Sequence, residues 1–234
     1  MSDAPTKPAE PTNTPGLNPA EAQLQQAGQT AAEPEKSSKG PMRNRPILFL
    51  DLETTGLNPG YQEISEIGAV LVSQPDWQVI TTYEAKVLPS HLETAQPEAL
   101  LIGHFDAAVW EKEGRPLKQA LEELSEIGQG AILAGFNVTF DWAFLQAGFN
   151  LVELPDPFYY HRYDVMSAAF SMLYGKTEFK KFSLSECCRY FGVTNTKAHS
   201  ALADAQATYE VFVGLMQSAS SNHTTEAPAV RPAD

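Results

Sequence analysis

Three short apolar runs in the first half of the chain predict three consecutive β-strands. Residues 47–52 are apolar except for Asp51, which is typical of a central strand buried on both faces. The runs at 63–72 and 79–88 are also strand-like, and a turn-like segment at 73–76 separates them. Because so few residues connect the three runs, they predict an antiparallel meander.

Further along the chain the apolar positions recur at helical spacing. Helices are predicted at 97–102 and 116–127, the second with Leu117, Leu121 and Leu124 on one stripe. A short strand at 131–134, a helix at 139–147, a strand near 158–163 and three helical stretches ending at 216 complete the pattern. This order predicts an α/β fold whose mixed central sheet, three antiparallel strands and then parallel strands, is flanked by helices.

Both ends of the chain differ in composition from this central part. Residues 1–45 contain seven Pro and seven Ala but no Phe, Trp, Tyr, Ile or Val, so they cannot bury enough apolar surface to offset the entropy of ordering. Residues 217–234 are rich in Ser, Thr, Ala and Pro. We therefore predict one folded domain at 46–216 between disordered tails at 1–45 and 217–234.

Composition narrows the class of protein. The chain of 234 residues is 43% hydrophobic, which excludes global disorder, and its net charge of -13 excludes a simple basic polymer-coating protein. Neither a membrane span nor a secretory signal is evident, so we expect a soluble cytoplasmic protein with no membrane partner. The only cysteines are the adjacent Cys187 and Cys188, which we expect to be small buried hydrophobic side chains. The lack of a disulfide framework favours a reducing compartment.

Two carboxylates mark the end of the first predicted strand. Asp51 and Glu53 lie two residues apart, so their side chains project from the same face of the sheet. The turn that follows has small residues, which let a ligand approach the backbone. A divalent metal shared by both carboxylates would explain two charges at the mouth of a buried strand, and the alternative is a pair of solvated carboxylates.

Two later segments carry residues of related chemistry. Asp141 falls in the first turn of a predicted helix, where taken alone it is more simply a helix-start carboxylate than a ligand. His199 precedes Asp204 by five residues at the start of the last long helix, although a lone histidine is usually a polar surface residue. The order of the three segments, more than any one of them, indicates a site.

In this order the motifs resemble those of the DEDDh 3'-5' exonucleases of the ribonuclease H-like superfamily, a group that includes ribonuclease T and the proofreading subunit of the bacterial replicative polymerase. The first motif matches in LDLETTGL and is reinforced by Glu66 in EIGAV. The matching residues of the second and third motifs are Asn137, Phe140, Asp141, Phe144 and Leu145, and His199, Ala201, Leu202, Asp204 and Ala205. The resemblance covers residues 46–216.

Three positions qualify the resemblance. The family often has His where this chain has Phe136, from which we expect altered packing and not lost catalysis. A sister group has Tyr where this chain has Ser200, which favours the histidine subclass. Asp164 resembles a family position that supports the site from outside, and a helix-capping role is an equal alternative.

The resemblance implies a ribonuclease H-like exonuclease fold and a 3'-5' exonuclease that releases 5'-mononucleotides from single-stranded nucleic acid. Asp51, Glu53, Asp141 and Asp204 would hold two Mg²⁺ ions, with Mn²⁺ as an alternative, because oxygen ligands favour these metals over zinc. Asp51 is the expected bridge. His199 would take the proton of the attacking water as a general base and would not be a ligand.

Substrate contacts are expected on the turn after the first predicted strand, in the second motif and in a basic segment. The residues are Thr54, Thr55, Gly56, Leu57, Asn137, Phe140, Lys180 and Lys181. Leu57 is the candidate wedge against the terminal nucleotide, whereas Phe140 has plain core as an equal alternative. The two lysines belong to a cluster that could follow substrate phosphates, with a solvated surface as the alternative.

Other interpretations stay open at the level of sequence. The chain could be a module that binds nucleic-acid ends without cutting, or a proofreading subunit bound to a polymerase. A docking segment is not indicated, since 217–234 offers only Val230 among its larger apolar residues. The substrate can be DNA, RNA or both, and a homodimer is common among stand-alone relatives.

Overall fold

The computed structural model describes residues 40–222 of the chain. Residues 1–39 of the predicted N-terminal tail lie outside the described residues, and its last part forms a short 3-10 helix at Met42–Asn44. At the other end, residues 217–222 continue the last helix past the predicted boundary at 216, while 223–234 lie outside the described residues. Within the described part, no helix is long and apolar enough to cross a membrane.

Five strands form one mixed sheet, which confirms the predicted fold class. They are β1 (Ile47–Thr54), β2 (Ile64–Val72), β3 (Val79–Lys86), β4 (Ile132–Gly135) and β5 (Arg162–Asp164). Their order across the sheet is β3-β2-β1-β4-β5. The first three strands form the antiparallel meander, and β4 runs parallel to both β1 and β5.

Helices cover both faces of the sheet. They are α1 (Pro97–Ile102), α2 (Ala107–Glu113), α3 (Leu117–Gly128), α4 (Val138–Leu151), α5 (Val165–Leu173), α6 (Leu184–Phe191) and α7 (Ala201–Asn222). A second 3-10 helix, Leu92–Thr94, precedes α1. The long helices α3, α4 and α7 were all predicted, although α4 extends beyond the expected end at 147.

Strand β1 lies at the centre of the molecule and is buried on both faces, as predicted. Leu48, Leu50 and Leu52 enter a core cluster with residues of α3 and α4. On the opposite face, Ile47 and Phe49 enter a second cluster with residues of α5, α6 and α7. The end of β1 is therefore held between two packed layers, which gives side chains there fixed positions.

Two elements differ from the sequence prediction. The strand expected near 158–163 begins only at Arg162, because Tyr159 instead donates its N–H to Ala131 O (2.8 Å) and packs its ring against the Arg45 guanidinium, 3.9 Å away. Helix α2 was missed. Its start is fixed by the Asp106 carboxylate, which accepts the N–H groups of the second and third residues after it.

Candidate active site

The two carboxylates of β1 lie on the sheet face that α7 covers. By strand alternation, Asp51 and Glu53 share this face with Phe49, which packs on the α7 side. Glu53 stands directly opposite Glu66 in the β1–β2 register, and the register shifts immediately after this pair. Regular pairing of β1 with β2 therefore ends at the second of these acidic residues. Asp51 lies close enough to Asp141, Asp204 and Glu53 for their charges to act on it, so four carboxylates gather here.

Asp141 reaches the site through the backbone of β1. The parallel pairing of β1 with β4 ends at Phe49 and Ala134, so the next N–H groups on that side of β1 need other partners. The Asp141 carboxylate accepts the Leu52 N–H at 3.1 Å, and only 3% of the residue is exposed. This hydrogen bond fixes Asp141 beside Asp51 and Glu53.

The start of helix α4 is capped by a residue of strand β5. Asp164, at the end of β5, accepts the backbone N–H groups of Asn137 (2.8 Å) and Val138 (3.4 Å), while the Ser167 hydroxyl donates to its second oxygen. Asp164 therefore caps the helix that carries Asp141 and makes no side-chain cap for its own helix, α5.

His199 and Asp204 flank the start of α7. One Asp204 oxygen accepts the His199 backbone N–H at 3.1 Å, and the other accepts the side-chain amide of Asn195. His199 has a left-handed backbone (φ 66°) and an exposed side chain. The loop before α7 is thus bound to a carboxylate of the site. Asn195 belongs to no motif and was not predicted.

Strand β2 holds the start of α7 through two residues of the EIG sequence. Glu66 accepts the Ala201 N–H at 3.0 Å, and the Ser200 hydroxyl lies 3.5 Å from the same oxygen. A carboxylate at a helix N-terminus is stabilised by the free N–H groups there. Gly68 has no Cβ, and the α7 backbone occupies that space: a Cβ would lie 2.0 Å from Leu202 N.

Burial and mutual repulsion raise the pKa of three carboxyl groups of the site. Desolvation is the larger cause at Asp51, whose pKa lies well above its ordinary value, and the charges of Asp141, Asp204 and Glu53 add to it. Burial raises the pKa of Glu53 to about 7 and that of Asp141 to about 8, although the hydrogen bond from Leu52 opposes the rise at Asp141. Among the described residues, no Lys or Arg forms an ion pair with these groups.

A cation would balance this concentration of negative charge. Carboxylate oxygens of Glu53 and Asp204 and a ring nitrogen of His199 lie within 4.8 Å of one another. Hard oxygen ligands suit Mg²⁺ or Mn²⁺, so the donor set fits a divalent metal. His199, interpreted from sequence as a base alone, also lies at a distance that a ligand would have.

The turn after β1 is built by the threonines that were expected to contact substrate. Thr54 and Thr55 are buried, and their hydroxyls serve the turn itself: the first donates to Gly56 O (2.7 Å) and the second accepts the Glu63 N–H (2.9 Å). Leu57, beyond the turn, is 72% exposed. The Leu57 side chain is therefore available for contact with a substrate. Both threonine hydroxyls form hydrogen bonds that stabilise the turn itself.

The other predicted substrate residues lie in different surroundings. Phe140 contacts the Phe144 ring, with centroids 5.1 Å apart, and packs against the first core cluster, while Asn137 accepts the Thr139 hydroxyl at 3.2 Å. Lys180 and Lys181 are exposed on the loop between α5 and α6. They are not among the residues that form the acidic site.

One wall of the site contains residues that sequence motifs did not indicate. Gly103, at the end of α1, lies so close to Glu53 that an added Cβ would be 3.1 Å from its Oε2 atom. The next residue, His104, lines an open cleft of 520 Å³ with Asn195, Lys197 and Ser200. A left-handed backbone at His104 (φ 50°) was not readable from the local sequence.

A mixed sheet that gathers four carboxylates and a histidine at the end of its first strand defines an enzyme of the nuclease type. The chain belongs to the exonuclease family, whose sequence model, described as "Exonuclease", matches residues 48–212. The class predicted from the sequence, a hydrolase related to the DEDDh exonucleases, is confirmed.

Two kinds of curated relative are similar to this chain. A PolC-type DNA polymerase III of Thermotoga petrophila is 29% identical over 177 residues, which cover 74% of this chain but 12% of that protein. Ribonuclease T of Marinobacter nauticus is 29% identical over 202 residues, which cover 78% of this chain and 89% of that protein. The chain therefore spans a small part of the polymerase and most of the ribonuclease.

Solved structures share the fold. E. coli Exonuclease I in complex with a dT13 oligonucleotide superposes with a TM-score of 0.65 and 20% identity, covering 77% of this chain and 42% of that one. The ribonuclease H-like exonuclease fold expected from the motifs is thus confirmed.

Proposed function

We propose that this chain is a metal-dependent 3'-5' exonuclease that hydrolyses the terminal phosphodiester bond of single-stranded nucleic acid and releases 5'-mononucleotides. The observation that carries the proposal is the convergence of four carboxylates and His199 at the end of β1 in a chain of the exonuclease family. Relatives named ribonuclease T and Exonuclease I, the latter solved with an oligonucleotide, support this substrate class.

Asp51, Glu53, Asp141 and Asp204 would hold two divalent cations, Mg²⁺ or alternatively Mn²⁺. When bound, the ions would neutralise the phosphate oxygens and stabilise the leaving 3'-oxygen. Asp51 interacts electrostatically with each of the other three carboxylates, so it would be the ligand at the centre of the group. The raised pKa values of Glu53 and Asp141 reflect the unfavourable free energy of ionising buried, neighbouring carboxyl groups. A bound cation would offset that free energy.

His199 would act as the general base. Its backbone is fixed by Asp204, and its ring lies at the exposed side of the acidic group, where a water can stand between it and a phosphate. An imidazole accepts a proton near neutral pH. The water would give its proton to the ring, its oxygen would bond to phosphorus, and the 3'-oxygen of the preceding nucleotide would leave.

The terminal nucleotide would lie against the turn that Thr54, Thr55 and Gly56 build. Leu57 projects from that turn with most of its surface exposed, which suits a wedge between the last two bases. Asn137 and Phe140 would stand on the α4 side. The cleft beside His104 leaves room for the departing nucleotide or for the strand that remains.

A second role, proofreading for a polymerase, is favoured by the similarity to PolC-type DNA polymerase III. The chemistry would be the same, and the partner would differ. Stable co-purification with a replicative polymerase would support this role. Equal hydrolysis of matched DNA and RNA oligomers by the isolated chain would favour a free-standing enzyme of broad substrate range.

The proposed function is tested with a 5'-labelled single-stranded oligonucleotide in Mg²⁺. Asp51→Asn and Asp141→Asn should abolish stepwise shortening, and His199→Ala should lower kcat by at least about 100-fold. Glu122→Gln, which changes an exposed carboxylate on α3, is the matched control and should retain full activity. Undiminished hydrolysis in the three site variants, or in EDTA, would overturn the proposal.

A further inference from the structure

A chain of aromatic rings runs along α5, the following loop and α6. We call it the α5–α6 aromatic surface, defined by Phe170, Tyr174, Phe179, Phe182 and Tyr190. Phe170 contacts the rings of Tyr174 and Phe182, with centroids 5.2 and 5.1 Å apart. Phe179 stacks on Phe182 at 5.0 Å and 10°, and it contacts Tyr190 at 5.2 Å. Each ring of the surface is therefore held by a neighbouring ring.

The surface combines fixed rings with accessible ones. Phe179 and Phe182 are partly buried against the second core cluster, whereas Tyr174 is 72%, Phe170 48% and Tyr190 37% exposed. Exposed aromatic rings in contact with one another form an apolar patch, and such patches commonly mark binding sites. The accessible rings are thus positioned in advance by the buried ones.

The segment that carries these rings is rich in positive charge, on a chain whose net charge is -13. Lys176, Lys180, Lys181 and Arg189 are exposed, and none of them forms an ion pair among the described residues. Glu186 accepts the backbone N–H groups of Lys180 (3.3 Å) and Lys181 (2.9 Å), so it shapes the loop without pairing with the ammonium groups. Residues 170–190 thus contain four basic residues and only two acidic ones, Glu178 and Glu186.

The surface adjoins the candidate active site through the chain that follows α6. Tyr190 precedes Asn195 by five positions, so the two Cα atoms are at most about 18 Å apart. The side chain of Asn195 donates to Asp204. Lys197, on the same loop, lines the cleft beside His104. Since a stacked strand advances about 3.4 Å per nucleotide, a strand leaving the cleft would reach Tyr190 within about five nucleotides.

We infer that the α5–α6 aromatic surface binds the single strand upstream of its 3' end, with bases stacked on the exposed rings and phosphates near Lys180 and Lys181. The inference rests on the proposed function, which brings a single strand to the adjoining cleft. Rings that stack on bases and cations that follow phosphates are the two components of sequence-tolerant single-strand binding. The occupant is therefore an oligonucleotide stretch beyond the terminal residues.

The inference is tested by binding without turnover. Fluorescence anisotropy in EDTA compares a labelled 12-mer of deoxythymidine with a labelled trimer, for the full chain and its variants. The double variant Tyr174→Ala and Tyr190→Ala should raise the Kd for the 12-mer by about tenfold or more, because the two stacked bases together contribute at least that much affinity. Tyr174→Phe with Tyr190→Phe keeps the rings and should bind as the wild type does.

Salt dependence tests the cations separately. Lys180→Gln with Lys181→Gln should make the slope of log K against log salt shallower by roughly 1.4, since each phosphate contact of a single strand contributes about 0.7. Lys112→Gln with Lys118→Gln removes two exposed lysines from another part of the domain and should leave the slope unchanged. Equal slopes in the two double variants would overturn the phosphate contacts.

The outcomes separate this inference from the proposed function. Weakened 12-mer binding by the tyrosine variant supports the surface even if the wild type hydrolyses nothing, in which case only the proposed function fails. Wild-type 12-mer affinity in that variant overturns the surface, whatever the activity. Binding to phosphatidylserine vesicles that the variant loses, without loss of oligonucleotide affinity, would also overturn it and assign the rings to a lipid surface.

Discussion

Gly68 sets how closely the last helix approaches the sheet. Its absent side chain leaves space for the backbone of α7, because a Cβ would lie 2.0 Å from Leu202 N and 2.1 Å from Ala201 C. Gly68→Ala must therefore displace α7 and, with it, Asp204. We expect a loss of about 3 kcal/mol in the free energy of unfolding, measured by urea denaturation.

The matched control for this change is Gly175→Ala. No atom lies within 4 Å of a Cβ built there, so the same added methyl group should change stability by less than about 0.5 kcal/mol. Equal stability of Gly68→Ala and wild type would show that α7 is not held against β2 by this contact.

At this scale the sequence predicted which acidic residues and histidine lie together better than it predicted the residues that hold them in place. The motif spacing selected Asp51, Glu53, Asp141, His199 and Asp204, and the fold brings all five together. Asn195 carried no motif, and its hydrogen bond to Asp204 depends on a loop path that local sequence does not specify. Gly103 likewise has meaning only through its contact with Glu53, which lies 50 residues earlier.

Helix α4 depends on a cap supplied by another strand. Asp164 accepts two backbone N–H groups at the α4 start, and Asp141 lies in the first turn of that helix. Removing the cap with Asp164→Ala should cost about 1 kcal/mol of stability. It should also lower kcat with little change in KM, because Asp141 would lose its fixed position.

The control for this prediction is Ser167→Ala. It removes the hydroxyl that donates to Asp164 and leaves both bonds of the cap in place, so activity should fall far less. Asp164→Asn keeps one acceptor oxygen and should recover part of kcat. If Asp164→Ala lost stability but kept its kcat, Asp164 would cap the helix without positioning Asp141 for catalysis.

The long elements could be predicted because their apolar periodicity is sustained. β1, α3 and α7 each bury a continuous set of residues. The segment at 158–163 was misread because an aromatic-rich run looks like a strand, whereas Tyr159 packs against the distant Arg45. Helix α2 lacks the proline that marks the first turn of the similarly short α1, and its start depends on the Asp106 cap.

The distribution of charge gives the whole molecule two distinct regions. Carboxyl groups with raised pKa values concentrate at the end of β1. The segment that carries the α5–α6 aromatic surface has four exposed cations that form no ion pair with any described residue. Net charge alone excludes a simple basic polymer-coating protein, but it averages over both regions and describes neither of them. The structure separates a site that attracts cations from a surface that can attract phosphates.

The acidic site should make the stability of the metal-free protein fall as pH rises. Glu53 and Asp141 have pKa values of about 7 and 8 in the folded protein, above the ordinary values of 4.5 and 3.8 that apply after unfolding. Between about pH 4 and 8 the folded state therefore binds more protons than the unfolded state. The free energy of unfolding therefore decreases by up to about 1.4 kcal/mol per pH unit for each extra proton that the folded state binds.

Metal binding should reverse this trend, because Mg²⁺ and protons compete for the same oxygens. Thermal unfolding in EDTA is expected to show a lower Tm at pH 8 than at pH 6, and Mg²⁺ should raise Tm more at pH 8. Asp141→Asn keeps an oxygen acceptor for Leu52 but cannot titrate, so its Tm in EDTA should vary less with pH. If that variant retained the full pH dependence of Tm and the full rise in Tm with Mg²⁺, the buried Asp141 carboxyl would not be the group through which protons and metal affect stability.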